Sequence, residues 1–374
     1  MRAGNPKGMG SDLLLVLVVA TALAFDFTNG FHDTANAMAT SIATKAIPPR
    51  AAVLLAAVMN FAGAFISIAV ATTIAKGVVD NDAITLGTLL AGLVGAIAWN
   101  LVTWLAGLPS SSSHALIGGV VGATLAAQGA DAVKGTGILE KVVVPALLAP
   151  VIAGAIAIVA TFLAYRLIGI FRERNAQRGY RIGQVGTASL VALAHGTNDA
   201  QKTMGIITLA LIAHGSLSGD VDSIPLWVKL ASATAISCGT AIGGWRIIQT
   251  MGHGLVKLEP PMGFSAEASG GAVLLASSYY GFPLSTTHIV SGSILGAGVG
   301  KKLSEVHWGL AARMVAAWLL TLPAAAIVAG VAWYLTDGLG GDSVGPPVLF
   351  AIAVAGAIGL MIVAQRRPVT PSDV

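Results

Sequence analysis

The sequence predicts an all-α polytopic membrane protein made of two inverted-topology repeats, with broken helices and re-entrant serine/threonine hairpins. Three observations predict this fold class: an apolar composition, two polar motifs that each occur twice, and an uneven distribution of basic residues among the loops. The 374 residues are 55% hydrophobic and 10% charged, which excludes an ordinary soluble domain. Apolar stretches of about 20 residues, enough to span a bilayer, recur along the chain.

These apolar stretches divide into two halves and one further helix. The polar segments around Pro109 and Pro283 predict re-entrant hairpins, because proline and clustered hydroxyls suit a tight turn held inside protein at membrane depth. The divisions are a first transmembrane repeat at 11–165, a basic cytoplasmic connector at 166–182, a second inverted repeat at 183–335 and an additional transmembrane helix at 346–365.

The first polar motif centres on an aspartate. Residues 29–36 read Asn-Gly-Phe-His-Asp-Thr-Ala-Asn, and residues 195–202 read His-Gly-Thr-Asn-Asp-Ala-Gln-Lys, so that Asp33 and Asp199 occupy the same repeat position. A charge within an apolar span costs at least about 2.5 to 3.5 kcal/mol, so it usually marks a function. The alternative is a carboxylate wetted at a helix end or a structural link between helices.

Glycine precedes each aspartate by three residues. Gly30 and Gly196 are predicted to interrupt their helices and to free backbone amides for an anion. Helical spacing places Asn36 on the face of Asp33, and its repeat equivalent Lys202 on the face of Asp199. Lys202 either binds an anion or pairs with Asp199, and the spacing leaves both interpretations open.

The second polar motif is a run of hydroxyls. Residues 109–114 read Pro-Ser-Ser-Ser-Ser-His and residues 283–288 read Pro-Leu-Ser-Thr-Thr-His. Hydroxyls and free amides at a helix start form a neutral cradle for a tetrahedral oxyanion. A single run would be read as an ordinary helix cap, but duplication favours binding. His114 and His288 either contact the anion, accept protons or pack across helices.

The combined composition suits an anion that travels with cations. Two ionised carboxylates repel an anion, and a proton, a sodium ion or a metal partner removes the repulsion. A carboxylate accepts a hydrogen bond from hydrogen phosphate, whereas sulfate has no proton to donate at neutral pH. The residues therefore favour phosphate.

Loop charges predict the orientation, because short cytoplasmic loops retain Lys and Arg. Five crossings in each half then make the repeats inverted, with the C-terminus cytoplasmic and the N-terminus outside; Arg2 and Lys7 conflict with that placement. The basic residues form no nucleic-acid stripe, and the single cysteine, Cys238, excludes an internal disulfide. The charged loop residues are Lys45, Arg50, Arg166, Arg172, Arg174, Arg178, Arg181, Arg246, Lys257, Lys301, Lys302, Arg366 and Arg367 inside and Asp80, Asp82, Asp220, Asp222, Asp337 and Asp342 outside.

The four motifs together resemble the inorganic phosphate transporter family, which includes bacterial low-affinity phosphate permeases and eukaryotic sodium-phosphate symporters. The resemblance covers essentially the whole chain. It implies inverted repeats, a homodimer and a scaffold beside a moving, substrate-carrying region. The substrate-binding residues that the motifs and the resemblance predict are Asp33, Asn36, Ser111, Ser112, Ser113, Asn198, Asp199, Lys202, Ser285, Thr286 and Thr287.

The resemblance also bears on the coupling ion. Sodium-coupled members carry Asn before the first Asp, whereas this chain has His32, the residue of bacterial proton-coupled relatives. We therefore hypothesise proton coupling. The predicted coupling residues are His32, Asp33, Asp199, His114 and His288, and a sodium ion would instead lie at Asp33, Asn36, Asn198 and Asp199. No cofactor or resident metal is expected.

The predicted function is import of inorganic phosphate across a cell membrane by cation symport, with phosphate carried alone or as a neutral metal complex. Sodium-coupled phosphate symport, a permease for sulfate or another oxyanion, and a channel are alternatives. An intramembrane hydrolase using Ser, His and Asp is an alternative of a different class. Against an enzyme, the polar residues come in symmetric pairs, whereas catalysis divides roles asymmetrically.

Overall fold

The computed structural model describes residues 9–77, 79, 84–169, 173–217 and 224–374, and helices dominate these residues. The helices of the first half are α1 (Met9–Ala43), α2 (Pro49–Gly63), α3 (Ala69–Gly77), α4 (Leu86–Leu105), α5 (Ser112–Gln128), α6 (Gly135–Ile138) and α7 (Val144–Ile168). The remaining helices are α8 (Glu173–Ala213), α9 (Leu226–Ile242), α10 (Trp245–Gln249), α11 (Pro260–Tyr279), α12 (Thr286–Lys301), α13 (Trp308–Gly338) and α14 (Gly341–Gln365).

The apolar helices agree with a chain that crosses a membrane several times. Five described helical segments are long and apolar enough to span a bilayer. Leu226–Ile242 and Trp245–Gly254, which meet at a bend of 61°, add a sixth if the pair is one span. The loop charges used for the orientation lie partly outside the described residues: Arg2, Lys7, Asp80, Asp82, Arg172, Asp220 and Asp222.

The predicted helix breaks at the two motif glycines are wrong. Both α1 and α8 run through Gly30 and Gly196 without interruption. A Cβ atom on Gly30 would lie 2.2 Å from the carbonyl oxygen of Ile236 in α9, and one on Gly196 would lie 2.2 Å from that of Asn60 in α2. The glycines therefore permit close helix crossings. A bend of this kind lies elsewhere, between α9 and α10.

A second pair of close crossings joins the hairpin helices to their neighbours. A Cβ on Gly122 of α5 would lie 2.1 Å from the Ala326 oxygen in α13, and one on Gly296 of α12 would lie 2.2 Å from the Gly154 oxygen in α7. Each crossing thus has a counterpart at the equivalent positions of the other half. The fold is built from two related sets of helices, and the inversion between them stays a prediction.

The hydroxyl motifs lie where two helical hairpins turn. Helix α4 turns into α5 at 106–111, and α11 turns into α12 at 280–285. Gly107 (φ 65°) and Gly281 (φ 73°) occupy left-handed backbone conformations that favour glycine. The side chains of Ser111 and Ser285 cap the following helices by accepting from the amides of His114 (3.1 Å) and His288 (3.3 Å).

Replacing Gly30 by alanine is expected to lower stability by about 1 to 3 kcal/mol or more, because the new methyl group meets backbone that cannot rotate away. Thermal unfolding in detergent measures the loss. Gly186 on α8 is the matched control, since nothing lies within 4 Å of its added Cβ. Equal melting temperatures for Gly30→Ala and Gly186→Ala would contradict the packing role.

Candidate functional site

Four elements meet around the two motif aspartates: α1, α8 and the first turns of α5 and α12. The Asp33 and Asp199 side chains are buried, with at most 2% exposed. Every residue predicted to bind substrate is likewise buried. The two motif helices and both hairpins therefore build one enclosed polar cluster, as the sequence predicts.

Asp33 is held by the first hairpin and by its own neighbour. The Ser112 hydroxyl donates to Asp33 Oδ2 over 2.9 Å, and His32 Nδ1 lies 2.6 Å from Asp33 Oδ1. The other ring nitrogen of His32 lies 3.3 Å from the hydroxyls of both Thr103 and Ser110. His32 thus links the first carboxylate to a pair of hydroxyls near the turn.

Asp199 is surrounded by donors from three helices. Lys202 Nζ donates to Asp199 Oδ1 over 2.5 Å, and the Thr286 hydroxyl reaches the same oxygen over 3.3 Å. His195 Nε2 lies 3.1 Å from Oδ2, and Asn29 donates to that oxygen over 3.3 Å. These donors favour the ionised carboxylate. Lys202 therefore pairs with Asp199 in this structure.

The contacts follow the repeat. Ser112 on Asp33 corresponds to Thr286 on Asp199. Two further contacts cross between the halves and correspond in the same way: Asn36 donates to Thr287 (3.0 Å), and Lys202 donates to Ser113 (2.5 Å). Lys202 also reaches the Leu284 carbonyl at 3.0 Å. Each motif helix therefore contacts both hairpins.

His195 lies between Asn60 and Asp199. Its Nδ1 lies 3.1 Å from Asn60 Oδ1, and the amide nitrogen of Asn60 donates to Thr240 over 2.7 Å, which orients that oxygen toward the ring. Its Nε2 faces Asp199. Asp199 therefore has the ammonium of Lys202 and the ring of His195 beside it, whereas Asp33 has the ring of His32.

Several predicted site residues lie apart from the carboxylates. Asn198 holds the second hairpin by donating to Ser278 (3.0 Å) and to the Phe282 carbonyl (3.2 Å). The rings of His114 and His288 contact each other edge-on at 4.8 Å between centroids. His288 also stacks on Trp318 at 4.2 Å. The two histidines therefore make an aromatic contact in place of hydrogen bonds to the aspartates.

Asn29 and His195 were quoted in the motifs but were missing from the predicted site. Their spacing gave the signal, because His195 lies one turn before Asp199 on the same helix face. The sequence prediction also missed Glu267, a buried carboxylate in α11 that accepts hydrogen bonds of 2.5 Å from Thr40, Ser41 and Thr187. A lone carboxylate in an apolar segment was the signal there.

A cation could bind between the two motifs. One ligand atom from each of Asp33, His195 and Asp199 lies within 4.8 Å of the others. The carboxylate oxygens suit a hard cation, whereas the histidine must be neutral to contribute. Asp33 and Asp199, both predicted to hold the coupling ion, are thus close enough to share one.

Replacing Ser285 by alanine is expected to lower stability by about 1 kcal/mol, because the side chain caps α12. Ser111→Ala removes the equivalent cap of α5 and should cost a similar amount. Thermal unfolding of each purified variant tests this. A Ser285→Thr protein, which keeps a hydroxyl, is the control and should recover most of the loss.

Comparisons with known proteins agree with these motifs. The model of the phosphate transporter family matches residues 29–329. A probable low-affinity inorganic phosphate transporter of Mycobacterium tuberculosis (strain ATCC 25618 / H37Rv) is 54% identical over 361 residues, which cover 96% of this chain and 86% of the relative. The protein of the same description from Bacillus subtilis (strain 168) is 46% identical over 331 residues, covering 87% and 98%.

One solved structure has a similar fold. It is described as the sodium-dependent phosphate transporter, is 24% identical in sequence, and superposes with a TM-score of 0.79 over 87% of this chain and 100% of its own. At this identity the likeness establishes the fold. The predicted fold class, an all-α membrane protein, is confirmed.

Proposed function

Because the chain belongs to the phosphate transporter family, we propose that it imports inorganic phosphate by cation symport, with protons as the coupling ion. Family membership confirms the prediction that the protein is a transporter and not an enzyme. The alternative of an intramembrane hydrolase is therefore dropped.

The observation that carries the proposal is the convergence of both motif helices and both hairpin starts on two buried carboxylates. The hydroxyls of Ser112, Ser113, Thr286 and Thr287 all lie in this cluster. A hydroxyl can rotate to donate or to accept. The hydroxyls that hydrogen-bond to other residues in this structure can therefore donate to a phosphate oxygen when the site opens. Two hairpins that separate and close around this point would give alternating access.

Charge explains why the substrate needs a cation. Lys202 is already bound to Asp199, so its charge does not offset that of Asp33. An anion entering the cluster meets the negative charge of Asp33 at close range in a medium of low polarity, where repulsion is strong. A cation bound at Asp33 removes that repulsion. Phosphate and its coupling ion then favour each other's binding.

A proton is the coupling ion that His32 supports. Its ring bridges Asp33 and the hydroxyls of Thr103 and Ser110, and a proton received there is shared with the carboxylate. Sodium at Asp33, Asn36, Asn198 and Asp199, and phosphate carried as a neutral metal complex, are the alternatives. Both would use the carboxylate and amide oxygens of the cluster as ligands.

The test is phosphate uptake into proteoliposomes under an imposed pH gradient without sodium. We expect radiolabelled phosphate to accumulate, and the accumulation to collapse when a protonophore dissipates the gradient. Accumulation that appears only when sodium is added would overturn the proton assignment. Arg174→Ala, in the basic connector, is the control variant and should leave uptake nearly intact.

The substrate class has its own test, because a sulfate permease is the nearest rival. Hydrogen phosphate can donate a hydrogen bond to a carboxylate, and sulfate cannot. Excess unlabelled phosphate should therefore suppress uptake of labelled phosphate, while the same excess of sulfate should leave it unchanged. Equal suppression by the two anions would contradict phosphate selectivity.

We further propose a homodimer in a cell membrane, with inverted repeats, a cytoplasmic C-terminus and an external N-terminus. The basic residues flanking α14, Arg366 and Arg367, support the cytoplasmic C-terminus. Protease cleavage of a C-terminal tag in inside-out vesicles, and protection of the tag in right-side-out vesicles, tests the orientation. Cross-linking in the membrane tests the dimer.

A further inference from the structure

Asp26 is a buried carboxyl group to which the phosphate site assigns no role. It lies on α1, two helical turns before Asp33, and no part of its surface is exposed. Neither of its carboxylate oxygens has a hydrogen-bond partner among the described residues. Two neighbouring polar atoms are also buried without a partner there: Asn29 Oδ1, one turn further along α1, and the hydroxyl of Thr203 on α8.

Burial is the main factor that disfavours the ionised form of Asp26, and the nearby charges act in opposite directions. The charged groups that act on it are Asp199 and Lys202, both on α8. The negative charge of Asp199 repels a second carboxylate. The positive charge of Lys202 is already paired with Asp199, over 2.5 Å. An ionised carboxylate buried without donors costs several kcal/mol. Asp26 is therefore best satisfied as a neutral acid that carries a proton.

The geometry connects Asp26 to the phosphate site. Asp26, Asn29 and Asp33 recur at spacings of three and four residues, so they lie on one face of α1. Two turns of helix separate the two carboxyl groups by about 10 Å along the axis. Asn29, between them, donates to Asp199. Asp26 is thus near enough to Asp199 and Lys202 for their charges to act on its carboxyl group.

We propose that Asp26 is a second proton-binding site of this transporter, and that it carries a coupling proton beside the one held at His32 and Asp33. This inference rests on the proposed proton symport. The proton comes from water on the outer side, resides on the Asp26 carboxyl while the site is closed, and returns to water on the inner side. Asp26 is ionised only when water or a rearranged Lys202 reaches it.

The test compares net uptake with exchange in proteoliposomes. Exchange of internal for external phosphate needs no net proton movement, whereas accumulation under a pH gradient does. Each coupled proton supports about a tenfold accumulation per pH unit, since one pH unit is 1.36 kcal/mol. For Asp26→Asn, accumulation relative to exchange should fall about tenfold at a gradient of one unit. Asp26→Glu, which keeps the acid, should retain it.

A second variant leaves Asp26 in place. Thr203 is the hydroxyl that can donate to ionised Asp26, so Thr203→Val removes a group that favours the charged form. The midpoint of the pH dependence of net uptake should move to higher pH. An unchanged midpoint would contradict the proposal even if Asp26→Asn failed to fold.

The outcomes separate this inference from the proposed function. Wild-type accumulation driven by protons, with the same accumulation in Asp26→Asn, would overturn the role of Asp26 and leave proton symport standing. Wild-type accumulation driven only by sodium would overturn both. A loss in Asp26→Asn that added sodium restores would identify the site as a sodium site and overturn the proton assignment.

Discussion

The Asp33→Asn protein is expected to fold and to lose phosphate uptake by roughly a hundredfold or more. The lost carboxylate is the proposed partner of the coupling cation, and removing one partner of a buried charge pair costs about 2 to 5 kcal/mol of binding free energy. The asparagine oxygen can still accept from Ser112, which donates to Asp33 over 2.9 Å. The negative charge that holds the coupling cation is lost. Uptake of labelled phosphate per reconstituted protein, with folding checked by gel filtration, measures the effect.

The matched control is a carboxylate on the same helix. Asp12 has a side chain that is 64% exposed and lies 3.0 Å from His214. Asp12→Asn should keep uptake near the wild-type rate, because the Asp12 carboxylate is largely exposed and lies far along α1 from Asp33. Wild-type uptake by the Asp33→Asn protein would show that the first carboxylate is not part of the transport site.

The sequence alone predicted that the two carboxylates and the two hydroxyl motifs would lie in one site. A carboxylate is expensive in an apolar segment, so its recurrence at Asp33 and Asp199 pointed to one site. The structure joins both to the hydroxyl motifs through Ser112 and Thr286, which are themselves repeat equivalents. The prediction depended on the duplication, because a polar motif rarely recurs at matched positions of two halves by chance.

The glycines show where sequence reasoning failed. A glycine beside a polar residue in an apolar segment fits either a helix break or a close crossing. The choice depends on the partner helix, and Gly30 meets α9 more than 200 residues later in the chain. Long-range packing of this kind has no local signature. In α1 and α8 the glycines serve these close crossings, and both helices continue through them.

The cross contacts were also beyond the sequence. The pairing of Asn36 with Thr287 joins the first motif to the second hairpin, and that of Lys202 with Ser113 does the reverse. Spacing along one helix assigns a face but not the element opposite it. The sequence therefore could not decide whether Lys202 binds the anion or pairs with Asp199, and its neighbours in the structure were needed.

The Asp199→Asn protein is expected to lose uptake as completely as Asp33→Asn and, unlike it, to lose about 3 to 5 kcal/mol of stability. Asp199 accepts from Lys202 over 2.5 Å and from Asn29 over 3.3 Å, and His195 lies 3.1 Å away. Asparagine leaves the ammonium of Lys202 buried with only neutral acceptors, Ser113 and the Leu284 carbonyl. Thermal unfolding in detergent measures the difference between the two variants.

A double variant separates stability from transport. Replacing a buried ion pair by an apolar residue of similar volume is often neutral or stabilising, whereas removing one partner is costly. Asp199→Asn with Lys202→Met should therefore recover much of the stability and none of the uptake. A double variant no more stable than Asp199→Asn would show that the cost lies with His195 and Asn29. Restored uptake would show that transport does not need the charge of Asp199, and that its pairing with Lys202 has only a structural role.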